Sequence, residues 1–310
     1  MQPEYLADII THLKKYFIVD DNAEITMETN PGTVDKEKLK KFKEGGINRI
    51  SIGIQSFDEE ELKFLTRIHD KQTAIQPVNN AADVGFDNIS IDLIFNLPNQ
   101  TKEKWLTNLQ TAIALPIKHI STYSLILERG TILNKMVLDK KVTMQDADYD
   151  ADLYEATIDF LVSKGFYQYE VSNFTKPGFE CVHNNAYWRY RDYLSFGTSS
   201  HSFIDGKRWW NYSSLKKYIS EIEINNNAIM HSEIISKDQI HYEYIMLALR
   251  SSGLDLNDYQ IRFAENNWIK KNNSYFELLK NEHHLTINNN WIKLTSKGYA
   301  VCDEILKNIL

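Results

Sequence analysis

Arg49-Ile-Ser-Ile-Gly-Ile-Gln55 and Ile89-Ser-Ile-Asp-Leu-Ile-Phe95 are the two stretches whose reading decides the fold. In the first, Ile50, Ile52 and Ile54 alternate with Ser51, Gly53 and Gln55; in the second, Ile89, Ile91 and Leu93 alternate with Ser90 and Asp92. A period of two is the signature of a strand with one apolar and one polar face. Ala23–Glu28 and His119–Leu125 read the same way. Between these stretches lie segments of helical length and pattern, Asp35–Glu44, Asp58–Ile68, Gln72–Val84 and Lys102–Ala114. Alternating strands and helices predict an α/β fold with a parallel sheet. Parallel strands normally bury apolar residues on both faces. A polar face on consecutive strands therefore predicts a barrel or half-barrel whose lumen takes a polar ligand; a sheet with one wet face is the alternative.

Composition narrows the class. The chain has 310 residues, 43% of them hydrophobic, enough for one large core and a second, smaller one. Its formal net charge of −7 opposes a sequence-independent grip on nucleic acid, which needs Lys and Arg to neutralise phosphates. No apolar run reaches the length of a membrane span, and Met1 is followed by Gln2, Pro3 and Glu4, not by a basic segment leading into an apolar one. A cytoplasmic protein is expected. Cys181 and Cys302 are its two cysteines, too few for a disulfide framework or for the three or four thiolates of an iron–sulfur cluster.

The strand ends carry the sharper signals. Glu28-Thr-Asn-Pro-Gly32 closes one strand, Gly53-Ile-Gln-Ser-Phe57 the next, and Asp92-Leu-Ile-Phe-Asn-Leu-Pro98 the third. Ligands of parallel α/β folds sit at the carboxyl ends of strands, so two carboxylates and an amide would face one cavity, suited to hydroxyls and an ammonium group. Taken alone, Asp92 reads equally as a buried structural acid, and Arg67 as a solvated helix charge. Together with Asn48-Arg-Ile-Ser-Ile-Gly-Ile-Gln-Ser-Phe57, Arg67-Ile-His69, Gly85-Phe86, Ile89–Ile94 and Leu97-Pro98, these motifs stand in an order and spacing that resembles the HemW haem chaperones. That family lies in the radical S-adenosylmethionine (SAM) superfamily, beside oxygen-independent coproporphyrinogen III oxidase. The resemblance runs from about Pro3 to the C-terminus. It implies that Glu28, Gln55, Arg67 and Asp92 contact SAM: Arg67 through a planar fork suited to the methionine carboxylate, the others as acceptors from ribose hydroxyls or the amino group.

Family members carry Cys-x3-Cys-x2-Cys and Gly-Gly-Gly-Thr-Pro segments before the part that matches Pro3. Three cysteines there hold a [4Fe–4S] cluster, whose electron cleaves SAM to a radical. The resemblance thus implies a partial radical-SAM (β/α)6-type half-barrel missing its first two strands, with Ala23–Glu28 left as an edge. A chain that starts late is the expectation, and a cluster-free paralogue is the alternative. The family's Gly-Leu-Pro-Gly-Gln-Thr is Asn96-Leu-Pro-Asn-Gln-Thr101 here, with Asn at two positions that suit positive φ. A later glycine-rich run reads Ser195-Phe-Gly-Thr-Ser-Ser-His201.

The second informative region is Tyr169–Phe174 followed by Glu180-Cys-Val-His-Asn-Asn-Ala-Tyr-Trp188. His183 offers an imidazole nitrogen to haem iron, Cys181 a thiolate two residues away, and His201 a further imidazole. Aromatic residues from Tyr187 to Tyr212 far exceed the chain's 12% average and suit a porphyrin face, though an aromatic run is more often core. By itself His183 is more simply a hydrogen-bonded structural histidine. The resemblance changes that, because His183-Asn184-x-x-Tyr187-Trp188 matches the family's haem-binding motif. Cys302 reads as a buried thiol.

From about Lys237 the pattern gives helices at 242–250, 256–264, 274–280 and 296–310, with a hairpin joining Leu285–Ile287 to Trp291–Leu294. Helices plus a hairpin predict a winged-helix-like α+β unit. Nine basic residues from Lys237 to Leu310 oppose nine acidic ones, so the unit lacks the basic face that DNA binding needs. Three parts are expected: 1–130 as the partial barrel, 131–235 as the aromatic haem-binding segment, and 236–310 as the C-terminal domain. The resemblance implies capture of haem and its transfer to an acceptor protein, in the membrane or outside it, with no catalytic residue assigned. Porphyrinogen-oxidase chemistry, which would need the cluster, and an inactive remnant are the alternatives.

Overall fold

The computed structural model describes residues 2–67, 70–264 and 267–310. They form two compact units, Met1–Glu180 and Cys181–Leu310.

The first unit runs α1 (Pro3–Leu13), β1 (Thr26–Thr29), α2 (Lys36–Glu44), β2 (Arg49–Gln55), α3 (Glu59–Phe64), α4 (Lys71–Asp83), β3 (Asn88–Phe95), α5 (Lys102–Ile113), β4 (His119–Ser124), α6 (Ile132–Leu138), α7 (Ala147–Ser163), β5 (Tyr167–Gln168) and β6 (Asn173–Thr175). One sheet has the order β1-β2-β3-β4-β6-β5. Its first four strands are parallel, while β6 is antiparallel to β4 and β5 to β6. The α/β reading with its parallel sheet therefore holds, and β1 has β2 as its sheet partner.

Helix starts follow the capping signals. Asp35, Asp58, Asp70 and Thr101 each accept from a backbone N–H of the first turn, which satisfies donors that a helix otherwise leaves orphaned. The apolar strand faces pack under these helices. Ile50, Ile52, Ile54, Ile89, Ile91 and Leu93 are fully buried with Leu39, Val78, Trp105 and Leu109.

Two boundaries moved for local reasons. The first strand starts at Thr26, and before it the Asn48 side chain reaches across to residues 23–25, donating to Ala23 O (2.8 Å) and accepting from Ile25 N–H (2.8 Å), beside backbone bonds from Asn48 and Arg49 N–H to Ile25 O. The helix predicted over Asp58–Ile68 ends at Phe64, since Thr66 takes a positive φ of 55° that no helix continues; Ile68 lies outside the described residues.

The second unit runs α8 (Val182–Trp188), β7 (His201–Ile204), β8 (Lys207–Asn211), α9 (Leu215–Asn225), β9 (Ile229–Ile234), α10 (Lys237–Leu249), β10 (Leu254–Asp255), α11 (Leu256–Arg262), α12 (Trp268–Asn281), β11 (Leu285–Asn288), β12 (Trp291–Leu294), α13 (Ser296–Ala300) and α14 (Cys302–Ile309). It holds two three-stranded antiparallel sheets, β7-β8-β9 and β10-β12-β11. Ile245, Leu249, Tyr259, Phe276, Ile292 and Ile305 form its core. The single helix expected at 296–310 is two, broken at Val301 (φ −116°, ψ 23°). That break places the Cys302 thiol in the core, where burial pushes it up to about 11.

The hairpin predicted from Asn288–Asn290 is present. Asn289 (φ 46°) and Asn290 (φ 63°) occupy the two left-handed positions of a two-residue turn, the conformation that matches the twist of the flanking strands. Asn290→Gly should leave the urea midpoint unchanged or raised. Asn290→Val should lower stability by about 1–2 kcal/mol, because a β-branched residue is strained at positive φ; equal midpoints for the two variants would contradict the turn assignment.

Candidate functional site

The polar strand face is where the fold becomes unusual. Glu28 on β1 lies in register with Ser51 on β2, and Asp92 on β3 with Ser121 on β4, which in turn pairs with Asn173 on β6. Ser51 Oγ also donates to Asp92 (3.3 Å), which ties the two halves of the row together. Much of this face is shielded: Arg49, Ser51, Ser90, His119 and Ser121 are all buried, while Glu28 and Tyr123 at its ends are exposed.

Burial raises the Asp92 carboxyl above its ordinary value; the Ser121 hydrogen bond works against that shift and the nearby Glu28 charge adds to it. A half-buried carboxyl at Asp92 beside the exposed carboxylate of Glu28 favours a ligand carrying donors or positive charge. One strand away, Ser90 Oγ and Tyr169 OH hold the two ring nitrogens of His119 at 2.8 Å each. Burial, aided by the Arg49 charge, holds this imidazole down to about 3, so it stays neutral. Glu170 sits beside this relay. Burial pushes its carboxyl up to about 7 against the pull of hydrogen bonds from Ser172 and Asn173.

At the carboxyl ends of β1 and β2 a second cluster forms. The β2–β3 register shifts between Ile52 and Gln55, and Gln55 takes a φ of 71°, so the irregularity re-aims its amide. A Cβ on Gly53 would lie 2.9 Å from Gln55 Nε2 and 3.1 Å from Asn30 Oδ1, so glycine is what lets these amides close over the strand. Arg67 Nη1 donates to the same Asn30 Oδ1 (3.1 Å). Glu28 and Asp92 thus share one cluster, and Gln55 and Arg67 meet at Asn30 in another, both on adjacent strand ends. His69 of the Arg67-Ile-His69 motif lies outside the described residues.

A model of the radical SAM superfamily matches residues 1–112. The heme chaperone HemW of Bacillus subtilis is 33% identical over 85% of this chain and 68% of its own length. A mitochondrial radical S-adenosyl methionine domain-containing protein 1 of Danio rerio is 30% identical over 100% of this chain and 72% of its own length. The chain belongs to the HemW family. Among solved structures, coproporphyrinogen III oxidase (HemN) from Escherichia coli superposes with a TM-score of 0.81 at 20% identity, covering 100% of this chain and 74% of that one. At that identity the likeness establishes the fold, and it agrees with the parallel sheet and helices of the first unit.

Asn96 and Asn99, which stand where the family pattern has glycine, both have φ of 62°. Asparagine here does glycine's conformational work. Ser199 in the later loop is likewise left-handed, at 57°.

The second unit presents the other candidates. His183, exposed in the first turn of α8, meets Tyr187 edge to face (4.7 Å, 87°), and Tyr187 meets Tyr193 in the same way (4.6 Å, 86°). Cys181 is buried just before the helix. His201, exposed on β7, stacks on Trp210 (5.6 Å, 23°). Part of the aromatic run is core: Tyr190 packs on Phe203 (4.9 Å) and Tyr244 (6.5 Å). Among the described residues, no three His, Cys, Asp or Glu side chains converge as a metal site, and no helix is long and apolar enough to cross a membrane.

Sequence reasoning missed Asn30, Ser121 and Glu170 as members of the polar clusters. Asn30 sits inside the quoted Glu28–Gly32 motif, and Glu170 inside Tyr169–Phe174, but nothing local marks either as facing the strands.

Glu170 ionises near 4.5 when unfolded and near 7 when folded. Between those values the folded chain keeps a proton that the unfolded chain has released, so stability falls as pH rises from about 4.5 to 7. His119 acts on the other side: the unfolded chain gains a proton below about 6.5, and stability is lost as pH falls toward 3. Glu170→Gln should therefore gain on the parent by on the order of 2–3 kcal/mol between pH 5 and pH 8 in urea unfolding. A constant difference across that range would show that Glu170 is not buried as described.

Proposed function

We propose that the protein is a haem chaperone of the HemW type, which binds haem and passes it to an acceptor protein. The observation that carries this reading is the joining of HemW-family membership to strand ends whose acidic pair, amides and guanidinium match a SAM-type ligand. Several relatives over most of the chain bear the name heme chaperone HemW. The reading places the protein in the cytoplasm, handing haem to an acceptor in the membrane or outside it.

The donor set of the first unit fits SAM. Glu28 and Asp92 would accept from ribose hydroxyls and the ammonium group, Gln55 and Asn30 would fix orientation, and Arg67 would turn its fork to the methionine carboxylate. When bound, SAM supplies the superfamily's radical chemistry. Among the described residues, no three His, Cys, Asp or Glu side chains come together as a donor set for an iron–sulfur cluster.

In the second unit His183 would hold haem iron, with Tyr187 and Tyr193 forming an aromatic wall behind the imidazole. Cys181 and His201 remain secondary candidates for the same role.

Two measurements test the reading. In an anaerobic haem titration followed at the Soret band, the chain should saturate at one equivalent and His183→Ala should bind at least about tenfold more weakly, the scale of a lost charge-assisted or coordinate contact. Absence of a saturable shift in the parent would overturn the haem reading. In calorimetry with SAM, Arg67→Ala should weaken binding by about tenfold, as expected for one charge-assisted hydrogen bond; unchanged binding would remove Arg67 from the site.

A further inference from the structure

A cavity of about 410 Å³ in the second unit lies between the end of α8, the end of α10, the start of α11 and Trp291 of β12. Its walls are rich in donors. Trp188 Nε1 is buried and has no hydrogen-bond partner among the described residues. Arg189 and Arg191, both exposed at the rim, have no carboxylate paired to them among the described residues.

The acids that line the same cavity are already used. Asp258 accepts from Tyr244 OH (2.6 Å) and from Arg262 Nε (2.8 Å). Asp255 caps α11 through Asn257 N–H (2.9 Å). Positive charge also lies against the aromatic walls, with Arg262 over the Tyr244 ring (5.2 Å) and Lys293 over the Trp291 ring (4.8 Å). The Arg189 and Arg191 guanidiniums and the Trp188 indole N–H are the donors left for a ligand's acceptor. A carboxylate on a flat apolar body supplies one: guanidinium forks pair with it in two parallel hydrogen bonds, and indole walls cover the body.

We propose that this cavity anchors the carboxylate side chains of a porphyrin through Arg189, Arg191 and the Trp188 indole N–H. The inference rests on the haem-chaperone reading and deepens it, because it assigns carboxylate recognition to residues other than the iron ligand. Trp188 closes the helix that His183 opens, so one short helix would serve both ends of the ligand.

The test separates the two roles. The full chain is titrated with iron-free mesoporphyrin, with its dimethyl ester and with haem, following absorbance and tryptophan quenching. The parent should bind the free acid at least tenfold more tightly than the ester. Arg189→Ala/Arg191→Ala should abolish that preference, and Arg189→Lys/Arg191→Lys should restore part of it. Circular dichroism checks that each variant is folded. His183→Ala should weaken haem and leave iron-free mesoporphyrin unchanged. Equal affinity of the parent for acid and ester, or an acid preference that survives in the double alanine variant, would overturn the carboxylate anchor while leaving the haem reading in place. If the parent binds neither haem nor mesoporphyrin, both fail together.

Discussion

The burial of a polar row on one face of a parallel sheet is the constraint around which the first unit is arranged. Asp92, Ser51 and Ser121 sit where a doubly covered sheet would place isoleucine or valine. The apolar face alone holds the sheet to its helices, with Ile50, Ile52, Ile54, Ile89, Ile91 and Leu93 fully buried. The polar face must then satisfy itself laterally. It does so through Ser51 to Asp92 and through the Ser90–His119–Tyr169 relay. Burial keeps His119 neutral, and a neutral imidazole can donate from one nitrogen and accept at the other, as its place between two hydroxyls requires. Arg49 is buried with Glu24 3.8 Å away, so this strongly basic group has its counter-charge.

Such a face is costly unless something uses it. A buried carboxylate is tolerated when paired or hydrogen-bonded, and Asp92 has hydroxyl donors but, among the described residues, no ion pair, while the Glu28 charge pushes its ionisation up and the more distant Arg49 charge only partly offsets this. Apolar residues at these positions would pack as well and without that penalty. Asp92 in their place, on the shared face of the sheet, is the kind of local inconsistency that packing alone does not call for.

Much of this was legible in the sequence because period-two alternation reports the two faces directly, and the strands over 49–55 and 88–95 came out within one residue of expectation. The asparagine-for-glycine changes at Asn96 and Asn99 could be read as left-handed positions from the chemistry of the side chain, and both are. What could not be read were effects that cross the chain. Asn48 binds Ile25 N–H from 23 residues away, Thr66 stops a helix by one dihedral, and Glu170 reaches the polar face only because β6 runs antiparallel beside β4. The break at Val301 is equally silent, since the amphipathic pattern continues through it. Pattern specifies elements and faces; the joining of Asn30, Gly53, Gln55 and Arg67 required the register shift in β2.

The two units also divide the chemistry by charge. In the first, the groups at the strand ends are acids and amides, and one arginine, Arg67, approaches them from a loop. In the second, the acids beside α8 are consumed by Arg262, Tyr244 and a helix cap, leaving guanidinium and indole donors near an exposed histidine. Acids and amides would suit a ligand with hydroxyls and an ammonium; guanidinium, indole and imidazole would suit a flat ligand with carboxylates and a metal that needs a nitrogen. On the proposed reading, the two ligands would draw on different sets of side chains within one chain.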